Sequence, residues 1–184
     1  MISNVSGRLR RLPLAAGLAL ALAAGPAAPG AGAEEAWHTM TGPERSFTAE
    51  LPAAPKYTPV KMRTAAGTGY TIHQYVLERG DTVFSVQLSD FPSDVNLSNA
   101  RLSLQNGLDV SAKALEGGKW ASVDWTTLQG WTAVDAVGVK GGFAVRSFSV
   151  AKGQRLVTLT YAGPAGSARS DAANRFIGSL RLGP

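Results

Sequence analysis

The sequence predicts an α+β fold, an antiparallel β-sheet with two main helices packed on it. Three observations predict it. Runs of alternating apolar and polar residues, separated by short Gly-bearing breaks, have the period of strands joined by hairpins. Two segments, one central and one near the C-terminus, switch to the spacing of an amphipathic helix. The chain is 45% apolar and 17% charged with 21 Gly, 10 Pro and no Cys, which excludes a disordered or collagen-like chain and any disulfide framework.

The N-terminal region is read as a targeting segment. Arg8, Arg10 and Arg11 precede an uncharged run, Leu12 to Ala33, that ends in Ala31-Gly32-Ala33. A positive stub, an apolar core of roughly a dozen residues and a small-x-small ending form a signal-peptide pattern, with cleavage expected after Ala33. The apolar heart, Leu14 to Ala24, is short of the ~20 residues of a spanning helix, and Pro26 and Pro29 follow it. Arg10-Arg11 lacks the surroundings of a twin-arginine signal, so the general secretion route is favoured. Residues 1–33 are therefore assigned to the signal and the mature chain to the periplasm. The formal charge of +5 falls to +2 once the three arginines leave with the signal, which removes the main support for nucleic-acid binding. No second apolar stretch in the chain is long enough to span a bilayer.

Residues 34–45 read as a lead-in to a single domain over 46–184. Ser46 to Pro52 is the first strand, with Phe47, Ala49 and Leu51 on one face, and Pro52 and Pro55 break the ladder after it. Lys56 to Arg63 resumes an extended pattern. Gly69 to Glu78 and Thr82 to Phe91 form a hairpin about Arg79-Gly80-Asp81, with Phe84, Val86 and Leu88 sharing a face. After Pro92, Leu97, Leu104, Leu108 and Leu115 stack as one face of a helix over 96–115, with Asp94, Asn96 and Ser98 as N-cap candidates and Gly117-Gly118 as its end. Four strand-like runs follow between Lys119 and Gly163, broken at Gln129-Gly130, Lys140-Gly141-Gly142 and Ala151 to Gln154, as in an antiparallel meander. A last helix, capped by Ser167, places Ala172, Ala173, Phe176, Ile177 and Leu180 on one side.

The opening RSFTAELPAAPKYTPVKM, the helix after DFPSDV, the hairpin GGFAVRSFSVAKGQRLVTLTYAGP and the closing ANRFIGSLRL carry a resemblance. They are similar to small exported bacterial proteins of the PsbP-like α/β/α sandwich type, over residues 45–182. The resemblance implies that fold, and a scaffold that hosts accessory and partner-binding proteins. It transfers no binding residue to a position here.

Chemistry-bearing residues are sparse. His38 lies in the lead-in. His73, in the strand Gly69 to Glu78, could serve as a base for Ser85 or Ser89 on the neighbouring strand, although no G-x-S-x-G elbow accompanies them. Without Cys, and with two separated histidines, the chain offers no ordered set of metal ligands, and Gly67-Thr68-Gly69 reads as a turn rather than a phosphate loop. No cofactor is implied. Trp120, Trp125 and Trp131 bound one β-segment and are the candidate partner surface. The sequence thus points to a soluble periplasmic domain that acts by binding, accessory to an envelope partner. Two alternatives stand beside it: a hydrolase using His73 with a strand hydroxyl, and a protein holding a small apolar ligand between sheet and helix.

Overall fold

A large antiparallel sheet forms the centre of the molecule. The computed structural model describes residues 36–184, so residues 1–33, expected to be a signal peptide, lie outside the described residues. In chain order the elements are β1 (His38–Thr41), β2 (Phe47–Leu51), β3 (Lys56–Arg63), β4 (Gly69–Arg79), β5 (Thr82–Asp90), α1 (Ala100–Ala112), β6 (Ser122–Leu128), β7 (Trp131–Lys140), β8 (Phe143–Lys152), β9 (Arg155–Gly163), α2 (Asp171–Gly178) and β10 (Arg181–Leu182). Seven strands pair in the order β3-β4-β5-β9-β8-β7-β6, every neighbour antiparallel. Two meanders, β3 to β5 and β6 to β9, are thus joined through α1 and zipped together along β5 and β9. Gly80 and Gly153 turn two of these hairpins in the left-handed region that glycine enters without a side-chain clash.

Alternation decides what covers each face. Phe84, Val86, Leu88, Phe148, Val150, Val157, Leu159 and Tyr161 point to one side, where they meet Phe47, Ala49 and Leu51 of β2 and Ala173, Phe176 and Ile177 of α2. The opposite face carries Val134, Ala136 and Ala151 beneath Leu104 and Leu108 of α1. Helix, sheet, then helix with a small sheet are the resulting layers. Leu115 and Trp120 close the α1 face over Gly138, where a Cβ would lie 2.6 Å from a Leu115 methyl.

Four features differ from the sequence expectation. Residues 38–41, assigned to a lead-in, form β1, because Met40 buries against Ala49 and the backbone pairs with β2. One sheet was expected and there are two, since β1, β2 and β10 form a separate three-stranded sheet over the α2 face. Helix α1 is shorter than 96–115. Asn99 caps it by accepting from the Leu102 N–H at 3.0 Å, leaving Leu97 outside, and Leu115 is extended (φ −92°, ψ 160°) yet buried. The last helix starts at Ser170, whose Oγ accepts from the Ala173 N–H, while Ser167 opens a preceding 3-10 turn.

Ser46, next to β2, is 1% exposed and its hydroxyl has no hydrogen-bond partner among the described residues. An unpaired buried hydroxyl opposes folding, so Ser46→Ala is expected to raise stability by about 1 kcal/mol. Thermal unfolding checks this; a fall in the midpoint would show that the hydroxyl holds a bound water.

Candidate functional site

Because Phe47, Ala49 and Leu51 of β2 turn inward, Thr48 and Glu50 must face out, and Thr39 of β1 stands beside Glu50 in the ladder. Helix α2 runs alongside that outer surface. Between them lies a cleft of about 470 Å³ lined by Thr39, Thr48, Glu50, Asn174, Arg175 and Ser179, with Arg181 of β10 at its border. It is the larger of the two cavities described below, and its walls are mostly polar side chains.

These polar groups bind one another. Arg175 Nε donates to Glu50 Oε2 at 3.1 Å, and its guanidinium lies 4.6 Å from the centre of the Trp37 ring. The Ser179 hydroxyl donates to the Phe176 carbonyl at 2.7 Å and accepts from the Glu50 N–H at 2.8 Å, tying α2 to β2. Arg181 Nη1 donates to the carbonyls of Gly178 and Leu180, placing a cation at the negative end of α2.

A second group of charges lies behind Asn174. Asp135 of β7 and Arg146 of β8 project to the α2 face, where their neighbours along each strand, Ala133 and Val137, and Ala144 and Phe148, are apolar. Asp135 and Arg146 are 8% and 6% exposed. Their contact is bidentate: Nε to Oδ1 at 2.9 Å and Nη2 to Oδ2 at 2.8 Å. Arg146 Nη1 also donates to Asn174 Oδ1 at 2.8 Å. Arg169 donates to Asp135 Oδ2 at 3.0 Å and to Asp124 Oδ2 at 3.2 Å. The chain Asp124–Arg169–Asp135–Arg146–Asn174 therefore runs from the edge of the sheet to α2 and fixes the helix that walls the cleft. Neither this network nor the Glu50–Arg175 pair was nominated from sequence. The available signal was a lone charge inside each apolar run, Asp135 in WTAVDAVGV and Arg146 in FAVRSFSV.

The pairing of His73 with Ser85 or Ser89 fails on register. His73 lies opposite Leu88, whereas Ser85 and Ser89 lie opposite Val76 and Ile72. A residue and its odd-numbered offset face opposite sides, so both serines sit on the α1 face and His73 on the other. The hydroxyl that His73 does meet is phenolic: Tyr57 Oη is 2.9 Å from Nδ1 and the two rings stack at 6.0 Å. Tyr75 leans on Tyr57 at 5.0 Å, and burial, with Tyr57 adding to it, pushes the Tyr75 phenol above its ordinary value, so it stays protonated at neutral pH. The cavity described on the α1 side is too small for a bound apolar ligand. On the α1 side the cavity among Met62, Ile72, Phe91 and Leu156 measures about 60 Å³, far below the roughly 300 Å³ at which ligand pockets begin.

The three tryptophans do not share one surface. Trp120 precedes β6 rather than lying in it, so strand parity does not separate it from Trp125. Both pack half-buried on the α1 side, with Trp120 Nε1 donating to the Leu108 carbonyl at 3.1 Å. Trp131 opens β7 on the α2 face and is exposed, with Lys152 Nζ 5.8 Å from its ring centre. Beside it, Gln129 adopts φ 51° and is held by β10: its Oε1 accepts from the Leu182 N–H at 2.6 Å and its Nε2 donates to the Leu182 carbonyl at 3.2 Å.

A helix on one face of an antiparallel sheet, with a second helix and a small sheet on the other, is a PsbP-like architecture. The solution structure of cyanobacterial PsbP (CyanoP) from Synechocystis sp. PCC 6803 matches it with a TM-score of 0.55 and 13% sequence identity, over 86% of this chain and 98% of that one. At that identity the likeness shows the fold. No protein-family model matches the chain, and no curated protein matches it. Among the described residues no helix is long and apolar enough to cross a membrane.

Proposed function

We propose that the protein is a non-catalytic accessory domain of the cell envelope, exported to the periplasm by residues 1–33, which binds a partner at the cleft between the small sheet and α2. The observation that carries this reading is how the cleft's polar groups are used. Arg175 holds Glu50, Arg181 caps α2 and Ser179 bridges α2 to β2, so the walls present a rigid, hydrogen-bonding shape rather than a poised nucleophile or base. The PsbP-like scaffold supports the accessory role by analogy. Trp131 extends the same side, since Gln129 beside it holds the β10 strand that carries Arg181.

The test is site-specific photocrosslinking in the producing cell, with the photoreactive residue at Thr48 in the cleft or at Lys113 after α1. A discrete adduct is expected from position 48 and none from position 113, and the adduct's own chain is expected to begin at Glu34. Equal labelling from both positions, or none from either, overturns the assignment of the cleft. An intact N-terminus on the recovered chain overturns the export.

A further inference from the structure

The large sheet ends in two unlike edges. The outer strand β3 carries Pro59, Lys56, Lys61 and Arg63, the residues by which natural sheets discourage a further strand. The other end, β6, reads SVDWTTL and has neither a proline nor a basic residue. Its single charge, Asp124, is turned to the α2 face and held by Arg169 at 3.2 Å. Among the described residues no strand covers β6.

Its hydrogen-bonding polarity follows from the turn. Gln129 and Gly130, with φ 51° and 82°, form a two-residue loop of the type that closes on a hydrogen-bonded pair, here Leu128 and Trp131. Alternation then directs the N–H and C=O groups of Ser122, Asp124, Thr126 and Leu128 into β7. Those of Val123, Trp125 and Thr127 point outward. The same three residues place their side chains on the α1 face. Val123 is 39% exposed, and the Arg101 guanidinium of α1 lies 4.1 Å over the Trp125 ring. Among the described residues Arg101 meets no carboxylate.

We propose that β6 is a strand-addition site for an extended segment of a partner polypeptide that bears an acidic side chain opposite Trp125, flanked on the same face by apolar ones. Main-chain bonds at Val123, Trp125 and Thr127 supply the affinity, and Arg101 supplies the selection. A second copy of this chain is the poorer occupant. Full overlap of two β6 strands about a two-fold axis centres on Trp125, which brings two Arg101 cations together across the seam. This site stands apart from the α2 cleft, and its test touches none of the cleft residues.

The probe is a synthetic peptide, Val-Thr-Val-Thr-Glu-Thr-Val-Thr-Val, against the same peptide with Lys in the centre, read by amide exchange and titration on isotope-labelled protein. The Glu peptide is expected to slow exchange at Val123, Trp125 and Thr127 and to bind about tenfold tighter than the Lys peptide. Arg101→Glu is expected to reverse that order. Thr127→Pro removes one outward N–H without touching the β7 ladder, so it is expected to keep its unfolding midpoint and to bind about tenfold more weakly. Absence of protection at millimolar peptide, undiminished binding by folded Thr127→Pro, or a dimer in sedimentation that Thr127→Pro dissolves each overturns the proposal.

Discussion

Asp135→Leu is expected to destabilise the protein by about 3–5 kcal/mol, because it leaves the Arg146 guanidinium buried without its counter-ion. Asn174 Oδ1 and the Ala168 carbonyl would still accept from Arg146, but neither carries charge. Arg146→Met is expected to cost less than Asp135→Leu, since Arg169 still lies 3.0 Å from the Asp135 carboxylate and reaches it from the half-exposed rim. The double variant is the informative one. With both charges gone and similar volumes in place, most of the loss is expected to return, as it does when buried pairs are exchanged for apolar packing. Thermal unfolding of the four proteins decides between outcomes. The Asp135→Leu midpoint should fall by roughly 6–20 °C and the double variant should recover. If the double variant is as unstable as Asp135→Leu alone, the network stabilises through its links to Arg169 and Asn174 rather than through charge compensation.

That network shows where the sequence stops speaking. The strands were legible because burial on one face imposes a period of two, visible in Phe47-Ala49-Leu51 and in Phe84-Val86-Leu88. The hairpins were legible because Gly80 and Gly130 sit where the backbone must enter the left-handed region. The α2 face was legible from Ala173, Phe176 and Ile177. What meets what was not. Asp135 and Arg146 come together because β7 and β8 pair Val137 with Arg146, one step along the same face, and no local pattern encodes that register. The cleft depends on β1 and β10, strands of four and two residues, too short to show a period. The leucine spacing misled in the other direction. Leu104 and Leu108 do share the buried face of α1, but Leu97 and Leu115 fit the same arithmetic while standing outside the helix. The grouping of the tryptophans on one β-segment was too coarse for a like reason, because Trp120 lies before the first residue of β6.

Phe176→Ala is expected to be comparably damaging, and its consequences reach the cleft. Phe176 is fully buried, with the Phe84 ring 5.3 Å away and perpendicular to it, and it sits where α2, the small sheet and the large sheet converge. Truncating such a residue removes its transfer energy and leaves a cavity, together about 3–5 kcal/mol. Helix α2 has eight residues, far fewer than an isolated helix needs to persist in water, so its structure is owed to packing by Ala173, Phe176 and Ile177. Losing the central anchor should therefore loosen α2 before the β-sheet. Amide exchange is expected to rise most over residues 171–179, with β5, β8 and β9 still protected. Phe176→Leu keeps most of the volume and is expected to cost less, roughly 1–2 kcal/mol. The two variants also separate stability from recognition. If the cleft binds a partner through the geometry that Asn174 and Arg175 present, crosslinking from Thr48 should fall with the local exchange of α2 rather than with the global unfolding midpoint. A Phe176→Ala protein that crosslinks as well as the parent would place the partner's contacts on the small sheet and not on the helix.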